Sequence, residues 1–191
     1  MTAPDREATP PIAHPRLVEI AAYLAETRAD VVRAAHEVPD SRWSEGPDGA
    51  WSAAQVVDHL RIVEHGIVRL MQKLVPAARA EGLAAETDTG SVIDAAFVAR
   101  TTDRSRRIEA PPRVLPAGAP DRDAGLAAMR AERAELLAAM ADADGLALGS
   151  LEWAHPALGA MDLYRWLVFV GAHEARHAAQ LRELARALAT S

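Results

Sequence analysis

The densest run of chemistry-bearing residues is His173-Glu174-Ala175-Arg176-His177. On a helix, residues four apart are separated by about 40° in azimuth and about 6 Å along the axis, so the two imidazoles can converge on one ion. The literal pattern H-E-x-x-H is also that of zinc metalloproteases, in which the Glu is the general base. Context argues against a protease. The extended form of that motif wants a histidine at position 183, which is Glu183, and no segment reads as a strand that would hold an extended peptide. A zinc hydrolase or protease is kept as the minor alternative.

Metal sites in helical bundles draw ligands from facing helices. His59 lies one residue before Leu60 at the edge of an apolar stripe and can look inward, whereas His65 is about 240° around from it and cannot share a site. His14 and His36, at the two ends of the first helix, read as surface or capping residues. His155, before Pro156 in a loop, can approach a site at the end of the helices and is a candidate substrate contact. Glu174 is a candidate general base, or a carboxylate partner for ligand imidazoles, with a rim salt bridge to Arg176 or another Arg as the equal alternative. Gln180 shares a face with His173 and is a candidate hydrogen-bond partner of a ligand or substrate. Arg133 breaks an apolar stripe and is a candidate for binding a substrate anion, with surface snorkelling as the alternative. Trp43, Trp51, Trp153 and Trp166 read as core and cap packing.

These residues fall on four segments of helical periodicity. The first runs from about Pro15 to Val38, with Leu17, Ile20, Leu24, Val31 and Val38 on one face. A second starts at Ser52, which with Gln55 forms a capping-box signal, and carries Val56, Leu60, Val63, Ile67, Leu70 and Leu74. The third spans about Asp121 to Asp142, with Leu126, Met129, Leu136 and Met140 and the interruption at Arg133. The fourth starts at Asp162 and keeps Leu163, Leu167, Val170, Leu181, Leu184 and Leu188 in register, interrupted by Glu174 and His177. About 40 residues join the second and third segments, with a Pro-rich stretch over 111–120 and room for a short helix near Val92 to Ala99. Gly145 to Ala160 reads as irregular. The expected fold is all-α, a four-helix bundle with one long crossover, formed by 15–190 after a disordered lead-in over 1–14.

Composition bounds the function. The 191 residues include no Cys and seven His, so the chain can supply neither a thiolate nucleophile nor a Cys-ligated metal, which leaves His, Asp and Glu as ligands. The net charge of −6 disfavours nucleic acid as a partner. No run approaches the roughly 20 apolar residues of a spanning helix, and the first 16 residues lack the apolar stretch of a signal peptide. A cytoplasmic protein acting on a small molecule, as a homodimer, is the expectation.

Three stretches in order, Trp51-Ser52-Ala53-Ala54-Gln55-Val56-Val57-Asp58-His59-Leu60, His155-Pro156-Ala157-Leu158-Gly159-Ala160-Met161-Asp162 and His173-Glu174-Ala175-Arg176-His177-Ala178-Ala179-Gln180, resemble the DinB-like superfamily of metalloenzymes. The likeness runs from about Leu17 to Leu188, and the Arg-rich approach to Ala110-Pro111 also looks like the family's long connection. The resemblance implies the metal triad His59, His173 and His177. It departs at Arg165, where relatives often carry Glu as the capping-box partner. Three neutral imidazoles suit Zn, Ni or Fe and leave positions open for water and substrate. The resemblance further implies use of a low-molecular-weight thiol, in a transferase working in detoxification or stress; hydrolysis with Glu174 as base is the sibling mechanism. A non-catalytic, metal- or ligand-binding dimeric bundle is the alternative from another class.

Overall fold

The computed structural model describes residues 11–105 and 108–190. Residues 1–10 of the expected lead-in, and Arg106 and Arg107 of the Arg-rich approach, lie outside that set. The chain forms helices α1 (Pro15–Glu37), α2 (Ala53–Ala80), α3 (Ala95–Thr102), α4 (Arg122–Asp142) and α5 (Leu163–Ala189), with strands β1 (Glu152–His155) and β2 (Gly159–Asp162) between α4 and α5.

Helix starts follow the capping chemistry of the sequence. Ser52 Oγ accepts from the Gln55 amide while Gln55 Oε1 accepts from the Ser52 amide, so the capping box opens α2. Asp121 caps α4 through the Ala124 amide at 2.8 Å. Asp162 caps α5 through the Arg165 amide at 2.8 Å; with Arg in place of Glu at 165 the reciprocal bond is missing but the cap forms. α1 begins on Pro15, and the amides of Ala13 and His14 just before it donate to the Asp144 carboxylate.

α1 packs on α5, and α2 packs on both α4 and α5, with α4 also touching α1. The buried apolar residues fall into two groups. One joins Leu17 to Leu24 of α1 with Ile67 to Val75, Leu136, Met140 and 163–170. The other joins Val31 to Val38 with 53–60, Leu126, Met129 and 178–188. α2 and α5 therefore run antiparallel: the start of α2 shares its half of the core with the end of α5. Between the halves lies a layer of buried charge, described below.

Two expectations need correction. The stretch after α4 is not wholly irregular: Glu152, Trp153, Ala154 and His155 pair antiparallel with Asp162, Met161, Ala160 and Gly159. The strands escape a periodicity search because β1 has no buried residue and β2 buries only Met161. The turn is held locally, by His155 Nδ1 accepting from the amides of Ala157 and Leu158 at 3.1 Å and by Gly159 at φ 81°. Trp153 is correspondingly 43% exposed and lies under Lys73 rather than in the core. The short helix of the crossover also sits later than expected, at Ala95–Thr102, because Asp94 caps it through the amides of Ala96 and Phe97.

The α1–α5 contact depends on a glycine. A Cβ on Gly171 would lie 2.4 Å from Tyr23 Cε1. Gly66, on the exposed side of α2, has nothing within 4 Å. The two should respond oppositely to alanine. Gly66→Ala should stabilise by about 0.5–1 kcal/mol through helix propensity, and Gly171→Ala should destabilise by about 1–3 kcal/mol through overpacking. Urea unfolding of both variants checks this, and a gain at Gly171 would contradict the close approach.

Candidate metal centre

α2 carries His59 and α5 carries His173 and His177, and the packing of the two helices brings the three rings together. Their centroids are 5.0, 5.0 and 4.5 Å apart in edge-on arrangements. Nε2 of His173 lies 3.3 Å from Nε2 of His59 and 3.1 Å from Nε2 of His177, and one nitrogen from each ring falls within 4.8 Å of the others. A tetrahedral zinc with bonds of about 2.05 Å has nitrogen–nitrogen edges of about 3.3 Å. The triad can hold a metal ion.

The far side of each ring decides whether those nitrogens are ligands. His59 Nδ1 faces the Val114 carbonyl at 2.6 Å, an oxygen that only accepts, so Nδ1 carries the proton and Nε2 a lone pair. His177 Nδ1 faces Gln180 Oε1 at 2.8 Å, which assigns the same tautomer. His173 Nε2 then meets two lone pairs and can satisfy only one with a proton. A cation satisfies all three.

Burial also keeps the rings neutral. It pushes His59 below the ordinary histidine range, His173 well below it, and His177 down to about 3. His59 and His177 are buried, while His173 is partly exposed. Phe169 stacks on His173 at 5.1 Å, and Trp51 tilts against His59 at 4.8 Å.

The crossover is part of this centre. The 3₁₀ turn Pro112–Val114 supplies the carbonyl on His59. Asp58, buried next to His59, takes the amides of Ala117 and Gly118 on Oδ2 at 2.8 and 2.9 Å and Arg61 on Oδ1 at 2.9 Å. Burial opposes charge on Asp58, but the Arg61 guanidinium and the two amides hold its pKa below the usual carboxylate range. Trp43 Nε1 donates to the Pro120 carbonyl at 2.8 Å, which fastens the same segment farther along.

The other candidates from the sequence are placed as follows. Gln180 lies on His177. His155 is near the centre but not in it: its ring is 4.9 Å from that of Phe169, which separates it from His173. Glu174 and Arg133 are committed elsewhere. Glu174 accepts from Thr27 Oγ1 at 2.9 Å and from Arg28 Nε at 2.5 Å, and lies 3.1 Å from Arg133 Nη2. Arg133 Nε donates to Glu64 Oε1 at 2.6 Å and its Nη1 to the Leu24 carbonyl at 2.7 Å. Arg28 closes the set by an ion pair to Glu64 and a bond to the Met129 carbonyl. Burial works against charge on Arg133, yet Glu174 and Glu64 hold its pKa above the ordinary value. His65, as expected, is exposed, and pairs with Glu132 at 3.1 Å.

Asp58, Val114, Arg28 and Glu64 are not among the residues singled out by sequence. Asp58 and Glu64 carry no spacing signal of their own on the second helix, and a backbone carbonyl has no sequence signal at all. Groups that orient metal ligands commonly change affinity about 10–100-fold when lost. Asp58→Ala and Gln180→Ala should each weaken zinc binding into that range with the fold intact, as isothermal titration against a chelator reads. Unchanged affinity in both would remove the outer groups from the site.

No helix among the described residues is long and apolar enough to cross a membrane. No curated protein and no solved structure matches the chain. The profile of the DinB superfamily matches residues 23–181, a span that takes in all three histidines, Asp58 and the crossover. The chain belongs to the DinB superfamily.

Proposed function

We propose that the protein is a metal-dependent enzyme that holds a divalent transition ion, zinc, nickel or iron, on His59, His173 and His177 and acts on a small molecule with the help of a low-molecular-weight thiol. One observation carries this reading: three buried Nε2 atoms converge, and the acceptors behind two of the rings leave lone pairs facing inward. A divalent ion, when bound, supplies the positive charge that lowers the pKa of a thiol or a water beside it. The chain's own part is to keep three neutral donors in place, with His173 the least buried of the three. With no Cys in the sequence, a reacting sulfur must arrive with a cofactor. Detoxification or stress chemistry is the setting this suits.

Within this reading Glu174 is not the general base, because Thr27, Arg28 and Arg133 occupy its carboxylate. Arg133 is likewise unsuited to a substrate anion, being enclosed with Glu64 and Glu174. We further read α1, α2, α4 and α5 as a four-helix bundle, supported by their pairwise packing, with α3 and the hairpin as additions. A cytoplasmic homodimer is carried as part of the proposal, and light scattering checks the second half of it.

Protein purified without a metal-affinity tag should contain about one divalent ion per chain by elemental analysis. His59→Ala and His177→Ala should lose it, and retention of full metal in both would end the triad assignment. The loaded protein should then consume thiols in the presence of an electrophile, and a chelator should stop it. Metal without turnover across thiols, electrophiles and activated esters would favour the non-catalytic bundle. Chelator-sensitive peptide cleavage would favour the hydrolase.

A further inference from the structure

The buried charge layer takes one residue from each long helix: Arg28 from α1, Glu64 from α2, Arg133 from α4 and Glu174 from α5. All four are less than a tenth exposed, and the two Glu are 2% exposed. The layer is neutral as a set, with two guanidiniums and two carboxylates. Each carboxylate contacts both arginines, since Glu64 pairs with Arg28 and Arg133 and so does Glu174. The arginines also reach main chain, at Met129 and Leu24. The layer therefore records the axial position and rotation of all four helices at one level.

The metal centre lies beside that level. His59 precedes Glu64 by five residues on α2, and His177 follows Glu174 by three on the antiparallel α5. Both therefore stand on the same side of the layer, about 5–8 Å along the axes. A slip of one residue in α5 would shift its ligands by about 1.5 Å and turn them by about 100°. Nitrogens that converge at 3.1 and 3.3 Å could not survive such a slip. Apolar contacts alone tolerate small slips, because Leu, Val and Ala repack with little loss. Hydrogen-bonded charge does not. A buried ion pair is also a poor source of stability compared with well-packed apolar residues, whereas buried polar groups that fix register are documented in coiled coils.

We propose that Arg28, Glu64, Arg133 and Glu174 are positioning residues for the metal centre: they set the register of α5 against α2, and so the affinity and geometry of the site, more than they stabilise the fold. The inference rests on the reading of the triad as a metal site. It gives Glu174 a role distinct from that of a base, and it explains why Arg28 and Glu64 occupy core positions.

The experiment uses cobalt(II) as probe, because its visible absorption reports coordination geometry and its titration gives affinity. Three proteins are compared: the parent, the apolar variant R28M/E64L/R133M/E174L, and the conservative variant R28K/R133K, which keeps charge balance but loses the forked bonds. Helix content and melting temperature are recorded first. The expected result is an apolar variant that melts at or above the parent's temperature, binds cobalt at least about tenfold more weakly, and shows an altered spectrum. A folded apolar variant with parental affinity and spectrum overturns the proposal. Should the apolar variant not fold, R28K/R133K decides: at least threefold weaker binding with a changed spectrum supports positioning, and parental binding overturns it. A parent that binds no cobalt is a separate result, seen before any variant is made, and it ends the metal-site reading itself.

Discussion

The centre of this protein holds four charges that are almost wholly withdrawn from water. Taking two arginines and two glutamates out of solvent is costly unless every one is paired, and removing a single partner from such a set typically costs about 3–5 kcal/mol. Glu64 and Glu174 each meet both guanidiniums, so the pairing is complete only when α1, α2, α4 and α5 are all in place. The layer divides the apolar core into two halves that share no buried residue. Each half is assembled mostly from aliphatic side chains, with aromatic residues at Phe97, Tyr164, Trp166 and Phe169 in one and Trp43 in the other, and apolar contacts can be remade in neighbouring registers. The charges cannot, and this is why the specific alignment of the four helices is better attributed to them than to the aliphatic residues around them.

The second constraint is the crossover, which leaves the end of α2 and returns at the start of α4, with α3 packed on α5 on the way. Adjacent residues of α2 fasten its later part. Asp58 gathers two consecutive amides, at Ala117 and Gly118, and His59 takes the Val114 carbonyl. Proline at 111, 112, 116 and 120 leaves few donors and restricts φ, so a segment that could not form a ladder of its own instead offers a few backbone groups at set positions. The same contacts that hold the segment down fix the tautomer of one ring of the candidate metal centre.

Much of this was legible in the sequence, and the part that was not has physical reasons. The four long helices and the capping box at Ser52 follow from local rules and are legible from their starts, whereas the short helix of the crossover lies three residues later than expected. The convergence of His59 with His173 and His177 was also reachable, because three short matches to one family stand in order along the chain. Interruptions of the apolar stripes at Arg133 and Glu174 were visible one at a time. Their meaning was not, since it lies in the coincidence of four charged residues, one per helix, at a single level. Arg28 sits in the gap between Leu24 and Val31, while Glu64 directly follows Val63 of an unbroken apolar stripe. Nothing local says that the four face each other. The hairpin escaped for the opposite reason, as its turn is held by His155 and Gly159 and its strands bury almost nothing.

The supports of the three histidines are unequal, and this bears on how the centre would respond to disturbance. His177 is oriented from within its own helix, by Gln180 three residues on, so its tautomer persists wherever α5 goes. His59 is oriented by the crossover, and loses its acceptor if residues 112–114 lift away. His173 has Phe169, four residues back on the same helix, stacked on its ring, and is the one of the three that is only partly buried. Two ligands therefore travel with α5 and one with α2 and the crossover. Besides the contact between the His59 and His173 rings, the charge layer ties α5 to α2 at this level, through the arginines of α1 and α4. A protein that needed only a stable helical core would gain little from so indirect a linkage; one that must hold nitrogens from two helices at metal-ligand spacing requires it.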